Sequence, residues 1–188
     1  MTEAVAMFGQ GIINVLWVVY LRDTLRGGAM EYGAVQTAVG LGTLAGGAVF
    51  GWVEKRFSPR FLGALGGVAV GALLLATFNV PEYPLVLLFN LVLGIPAMAW
   101  AITEKTLVQQ GADDAYRGRV FSAFGAVQAL AMLAGLGAAS LFGAQFGTRP
   151  LLDLAGTLYL TAGVLAWPLL SGTLWTGSPG VGNWAKAR

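Results

Sequence analysis

The side chains of this sequence that could do chemistry sit inside apolar runs and fall on helical faces. Glu3, Met7, Gln10, Asn14 and Trp17 recur at alternating intervals of four and three, and so do Asn90, Gly94, Ala97, Ala101 and Glu104. That alternation keeps residues on one side of a 3.6-residue helix. Gln36, Gly40, Thr43 and Gly47 make a third such face, and Gly125 with Gln128 a shorter fourth. Amides, a carboxyl and an aromatic ring along an apolar helix have two uses. They bond neighbouring helices, at roughly 0.6–2 kcal/mol each, or they line a wet cavity. Taken singly, Gln36 and Gln128 fit the interhelical bond, and their faces keep them as cavity candidates. Gln10, Asn14 and Trp17 together with Asn90 fit the lining: two helices bring several polar groups to mid-depth, which suits a polar or amphipathic small molecule. Glu104 and Lys105 lie near the end of their run. Snorkelling to a headgroup layer accounts for them more simply than proton coupling does.

Other chemistries lack their residues. The sequence has no histidine and no cysteine, which removes the usual general base, the thiol nucleophile and the common ligands of zinc and haem. Serines and threonines are present without a histidine to activate them. The glycine-rich stretches lack the terminal Lys-Ser/Thr of a phosphate-binding loop. These features argue against an enzyme, a metal site or a cofactor. The net charge of +2 rests on few charged residues and does not suggest a nucleic-acid partner.

The elements that must position these faces follow from composition. Apolar residue types make up 56% of the 188 residues, mean hydropathy is +0.71, and 11% are charged. Soluble domains carry roughly 25% charged residues, so this chain could not cover a water-facing surface. Six apolar stretches, 4–21, 32–53, 61–78, 84–107, 120–142 and 151–170, each approach the roughly 20 residues a helix needs to cross a bilayer. They lack the strict alternation of barrel strands. The fold class expected is an all-α integral membrane bundle of six transmembrane helices spanning residues 1–170, with 171–188 as a flexible tail. The opening Met1-Thr2-Glu3 has no basic segment, so the first run reads as a span and not a removable signal. Short polar breaks at 22–31, 54–60, 79–83, 109–119 and 143–150 imply antiparallel neighbours in one compact bundle.

If both termini face the cytoplasm, eight basic residues lie inside: Lys55, Arg56, Arg60, Lys105, Arg117, Arg119, Lys186 and Arg188. Three, Arg22, Arg26 and Arg149, lie outside, in agreement with the positive-inside rule. Asp113 and Asp114 are placed to pair with loop arginines or to cap the next helix. Small residues recur every fourth position at Gly63/Gly67/Gly71, Gly42/Gly46, Gly47/Gly51 and Ala131/Gly135/Ala139/Gly143. That spacing lets helix backbones approach closely in lipid. The third and sixth runs, almost uniformly apolar, read as lipid-facing supports.

The loop Arg117-Gly118-Arg119-Val120-Phe121-Ser122, after Asp113-Asp114, resembles one of the major facilitator superfamily. It looks closest to the drug and siderophore exporters of the enterobactin-exporter type, which carry such a loop before their eleventh helix. A second stretch, from Gly47 to Arg60, resembles the superfamily's loop signature, Gly-x-x-x-Asp-Arg-x-Gly-Arg-Arg. Gly51, Arg56, Phe57 and Arg60 agree with it, while Lys55, Ser58 and Pro59 depart from it. The resemblance covers about 170 residues and implies helices seven to twelve, the carboxyl half of a transporter. It further implies that the first and fourth spans line a central cavity and that the second and fifth meet the other half. The function expected is a half-length or truncated secondary transporter in the inner (plasma) membrane, exporting small amphipathic compounds by alternating access. Its partners would be the lipid bilayer, a small-molecule substrate, and either a missing amino-terminal half or a second copy, docked on Gly40/Gly47 and Gly135/Ala139. The alternative is a non-transporting membrane subunit or an inactive remnant.

Overall fold

In a computed structural model, which describes residues 2–111 and 116–170, the chain forms six α-helices among the described residues. They are α1 (Thr2–Asp23), α2 (Ala29–Val53), α3 (Pro59–Asn79), α4 (Tyr83–Gly111), α5 (Arg117–Phe146) and α6 (Thr148–Leu170). Each is long and apolar enough to cross a membrane. The apolar runs locate all six, and most helices continue a few residues further into their polar flanks. Residues 112–115 and 171–188, including Asp113, Asp114 and the tail, lie outside the described residues.

Local chemistry sets the ends. The Ser58 hydroxyl accepts from the Phe61 amide at 3.3 Å with proline in the first turn, so α3 starts as Ser-Pro sequences favour. The Glu31 carboxylate accepts from the Gly28 amide at 2.7 Å and caps α2. Where α3 ends, its free carbonyls are met from other helices: Tyr20 Oη donates to Thr77 O and Val80 O, both at 3.1 Å, and Arg149 Nε donates to Phe78 O at 3.3 Å. Tyr20 and Phe78 are fully buried there and form an aromatic cluster with Trp17, with centroids 5.7–5.9 Å apart.

Short connections make sequence neighbours antiparallel but do not make them pack. Helix α2 lies on α4, α1 on α5 and α6, and α3 on α4 and α6. The pairs α1/α2, α4/α5 and α5/α6 touch only slightly, and α2 and α3 do not pack at all. Close crossings choose the partners. Gly42 of α2 faces the Leu91 carbonyl and Gly94 of α4, and Gly11 of α1 faces Gly135 of α5 across backbone atoms.

This packing corrects two expectations. The Gly135/Ala139 face is turned inward onto α1, with Gly135 against Phe8 and Gly11, so it cannot be a docking face for another unit. Helix α3 is the most buried span, not a lipid-facing support, because its glycines hold it between two neighbours: Gly63 and Gly67 against α4, Gly71 against Leu160 of α6. The least buried span is α5. Gly33, Gly40 and Gly51 on α2 and Gly118, Gly125 and Gly137 on α5 have nothing within 4 Å of a would-be Cβ.

Candidate functional site

Helices α1 and α4 run antiparallel, so the start of one lies beside the end of the other. Their polar faces meet across a cavity of about 610 Å³. The two helices supply most of its lining, including Gln10, Asn14, Trp17, Asn90, Trp100 and both Glu3 and Glu104. Helix α2 adds Tyr32 and Gln36, α3 adds Val70 and Leu74, and α6 adds Tyr159. Five of the six amides and rings singled out in the sequence, Gln10, Asn14, Trp17, Gln36 and Asn90, therefore share one space. The sixth, Gln128 of α5, does not line it but reaches its wall.

The wall at the end of the bundle where α1 begins is a hydrogen-bonded cluster. Gln128 Nε2 donates to Glu104 Oε1 at 2.7 Å and to Glu3 Oε1 at 3.3 Å. Trp100 Nε1 donates to Glu3 Oε2 at 3.1 Å. Glu3 is only 8% exposed. Two carboxyls thus converge on one amide nitrogen, and three helices are tied by it. Glu104 does not snorkel: it faces the cavity and accepts from Gln128, while Lys105 beside it is exposed. Gly67 of α3 makes the arrangement possible, since a Cβ there would overlap the Trp100 ring. The apolar helix α3 positions the site by having no side chain at that point.

At mid-depth, Tyr159 Oη donates to Gln10 Oε1 at 2.7 Å, and Gln10 Nε2 donates to Asn14 Oδ1 at 3.0 Å. At the far end, Asn90 is 6% exposed and gives its amide hydrogens to Val86 O at 2.8 Å. Neither its Oδ1 nor Trp17 Nε1 has a hydrogen-bond partner among the described residues, and both residues line the cavity. Polar atoms of cavity-lining residues that lack a partner are what a ligand can satisfy. Sequence reading missed Trp100, Tyr32 and Tyr159 as lining residues. Tyr159 stood alone in an apolar run, without a polar partner at helical spacing to mark a face.

The loop-motif residues lie apart from this site. Gly51, Lys55 and Arg56 are exposed, with the Arg56 guanidinium 5.0 Å from the Trp52 ring centroid. Gly118 is open, and Arg119 lies 5.9 Å from the Tyr116 ring centroid. Arg60 and Arg117 fall in the first turns of α3 and α5, with their side chains outside the described part of the structure. All belong to the bundle end that carries Glu3 and Glu104, where the chain passes between α2 and α3 and between α4 and α5.

The family model described as Major Facilitator Superfamily matches residues 1–182. No curated protein matches the chain, and no solved structure does.

Proposed function

The chain belongs to the Major Facilitator Superfamily, and from that premise we propose that it forms the cavity-bearing half of an exporter of small amphipathic compounds. Transport by alternating access about a midplane site needs two six-helix units. The single observation that carries the reading is the cavity between α1 and α4, which combines apolar and aromatic walls with a ladder of amides and two carboxyls. Exchange against protons would run through the Glu3–Glu104 pair, which the structure brings together at the cavity wall. The drug-efflux and siderophore-exporter resemblance narrows the cargo to compounds with both a polar and an apolar part.

The second unit, either an amino-terminal half or another copy, would dock on the outward faces of α2 and α5. Their open glycines and exposed apolar residues, Leu44 and Leu130 among them, support that placement. Vesicles from cells expressing the chain are expected to accumulate a fluorescent amphiphile above control vesicles, and more so with a pH gradient. Gln10→Leu and Asn90→Leu should each reduce that accumulation severalfold at equal protein level. Full uptake by both variants would sink the cavity reading, and no uptake above control would favour a non-transporting module.

The positive-inside count supports a cytoplasmic position for the termini and for the loop between α2 and α3, with the inner (plasma) membrane as the location this reading takes. The absence of native cysteine makes the check simple. In intact cells Gly28→Cys should react with an impermeant maleimide added outside, and Lys55→Cys should be shielded. The reverse pattern would invert the topology.

A further inference from the structure

We propose that the groove between α2 and α3 is a binding site for one anionic phospholipid. An acyl chain fills the groove, and the phosphate sits against Lys55 and Arg56 in the loop that joins the two helices. This site is separate from the cavity and does not depend on what the cavity carries.

The groove exists because two helices share a support without touching. Helices α2 and α3 both pack on α4 and do not pack on each other. Glycines bring each one close: a Cβ at Gly46 would come within 2.8 Å of Ile95 backbone atoms, and one at Gly66 within 2.9 Å of the Pro96 carbonyl. Between them α4 forms the floor of a space of about 330 Å³, and none of its described lining residues carries a polar side chain. Val49, Leu65 and Val92, one from each helix, are exposed along it. On α3 the lining runs from Leu62 to Leu73, eleven positions or about 16 Å. That is the depth of one leaflet of a hydrocarbon core roughly 30 Å thick. A uniformly apolar slot of that length, open to the side, suits a hydrocarbon chain.

The headgroup follows from the mouth of the groove. The α2–α3 loop starts directly after Val53, and Lys55 and Arg56 are exposed there. Neither makes an ion pair with Glu54, the acid beside them, or with any other described residue. The Arg56 guanidinium lies over the Trp52 ring, and Phe57, Phe61 and Trp167 form a chain of ring contacts at 5.4–5.7 Å. Trp52 and Trp167 are exposed, and tryptophan marks headgroup level, so the two cations stand where phosphates are. Unpaired cations at that depth attract anionic lipid. A zwitterionic lipid brings its own cation and gains less. A second six-helix unit does not compete for the groove: Gly40, Leu44 and Gly51 lie on the opposite side of α2 from Gly46, Val49 and Val53.

Phosphatidylglycerol and phosphatidylcholine with identical chains separate the headgroup from the tail. Each is titrated into the delipidated full chain in mild detergent and counted by native mass spectrometry. Phosphatidylglycerol should saturate one tight site per chain and bind about tenfold more tightly than phosphatidylcholine, the scale of two cations near a membrane surface. Lys55→Gln/Arg56→Gln should remove that preference. Arg119→Gln, on α5 and away from the groove, should leave it intact. Ala69→Phe should plug the groove and cut lipid retention severalfold at an unchanged melting temperature. Val49→Trp on the rim repeats the test should Ala69→Phe unfold. Excess inorganic phosphate should not displace the lipid. Equal binding of the two lipids, a preference that survives the loop variant, or full retention in a folded groove variant would overturn the proposal. So would displacement by phosphate, which would reduce the site to a loop that binds free anions.

Discussion

Leucine at Gly42 or Gly135 is expected to prevent the chain from reaching a stable folded form. Each glycine lies where two helix backbones touch. A Cβ at Gly42 would overlap the Leu91 carbonyl and come within 3.1 Å of the Gly94 Cα, and one at Gly135 would overlap the Phe8 carbonyl and come within 3.2 Å of the Gly11 Cα. Backbone cannot swing aside as a side chain does, so the helices must separate along the whole crossing. Overpacking of a well-packed interior costs about 1–3 kcal/mol for modest additions and more when the structure cannot relax. Alanine at either position should therefore lower the melting temperature of the detergent-extracted protein by several degrees. Leucine should leave little monodisperse material. Normal yield and melting of Gly42→Leu would show that α2 and α4 do not cross there.

The same substitution a few residues away should have the opposite signature. Gly40 on α2 and Gly125 on α5 meet nothing within 4 Å. Gly40→Leu and Gly125→Leu are expected to keep the melting temperature of the isolated chain and to lose pairing with a second six-helix unit. Crosslinking in membranes should fall to background, and vesicle accumulation should fall with it by about an order of magnitude, since close helix approach in lipid depends on small residues. Undiminished crosslinking with both leucines present would move the docking face elsewhere on the bundle.

The contrast marks the limit of what the sequence could tell. Gly42/Gly46 and Gly47/Gly51 share one spacing on one helix, yet the first pair is packed against Leu91 and Ile95 of α4. Around Gly47 only the Met98 methyl comes within 4 Å, and around Gly51 nothing does. A four-residue interval says that a smooth face exists and not which neighbour meets it. The six spans were legible because apolar length is set by bilayer thickness. The faces of Gln10, Asn14, Trp17 and Asn90 were legible because helical periodicity groups them without reference to any partner. The pairing of Glu3 with Glu104 was not. It depends on α1 and α4 facing each other across the cavity with Gln128 of α5 bridging them, and those are contacts between segments far apart in the chain. Trp100 was hidden for the same reason, since its place is fixed by an absent side chain at Gly67 on a third helix.

The order in which helices meet has a consequence for how the protein is made. Only α3 and α4 form a tight pair of successive helices; α1 finds its main partners in α5 and α6, and α2 in α4. At roughly 5–20 residues per second of synthesis, α1 waits on the order of five to twenty seconds for α5 to emerge. During that interval its amides have no neighbouring helix to bond. The Gln10 Nε2 to Asn14 Oδ1 bond at 3.0 Å lies within a single turn and forms as soon as α1 does. The newborn helix thus carries its own provisional partner for two groups that lipid would otherwise strand, and Tyr159 completes the set only when the last helix arrives.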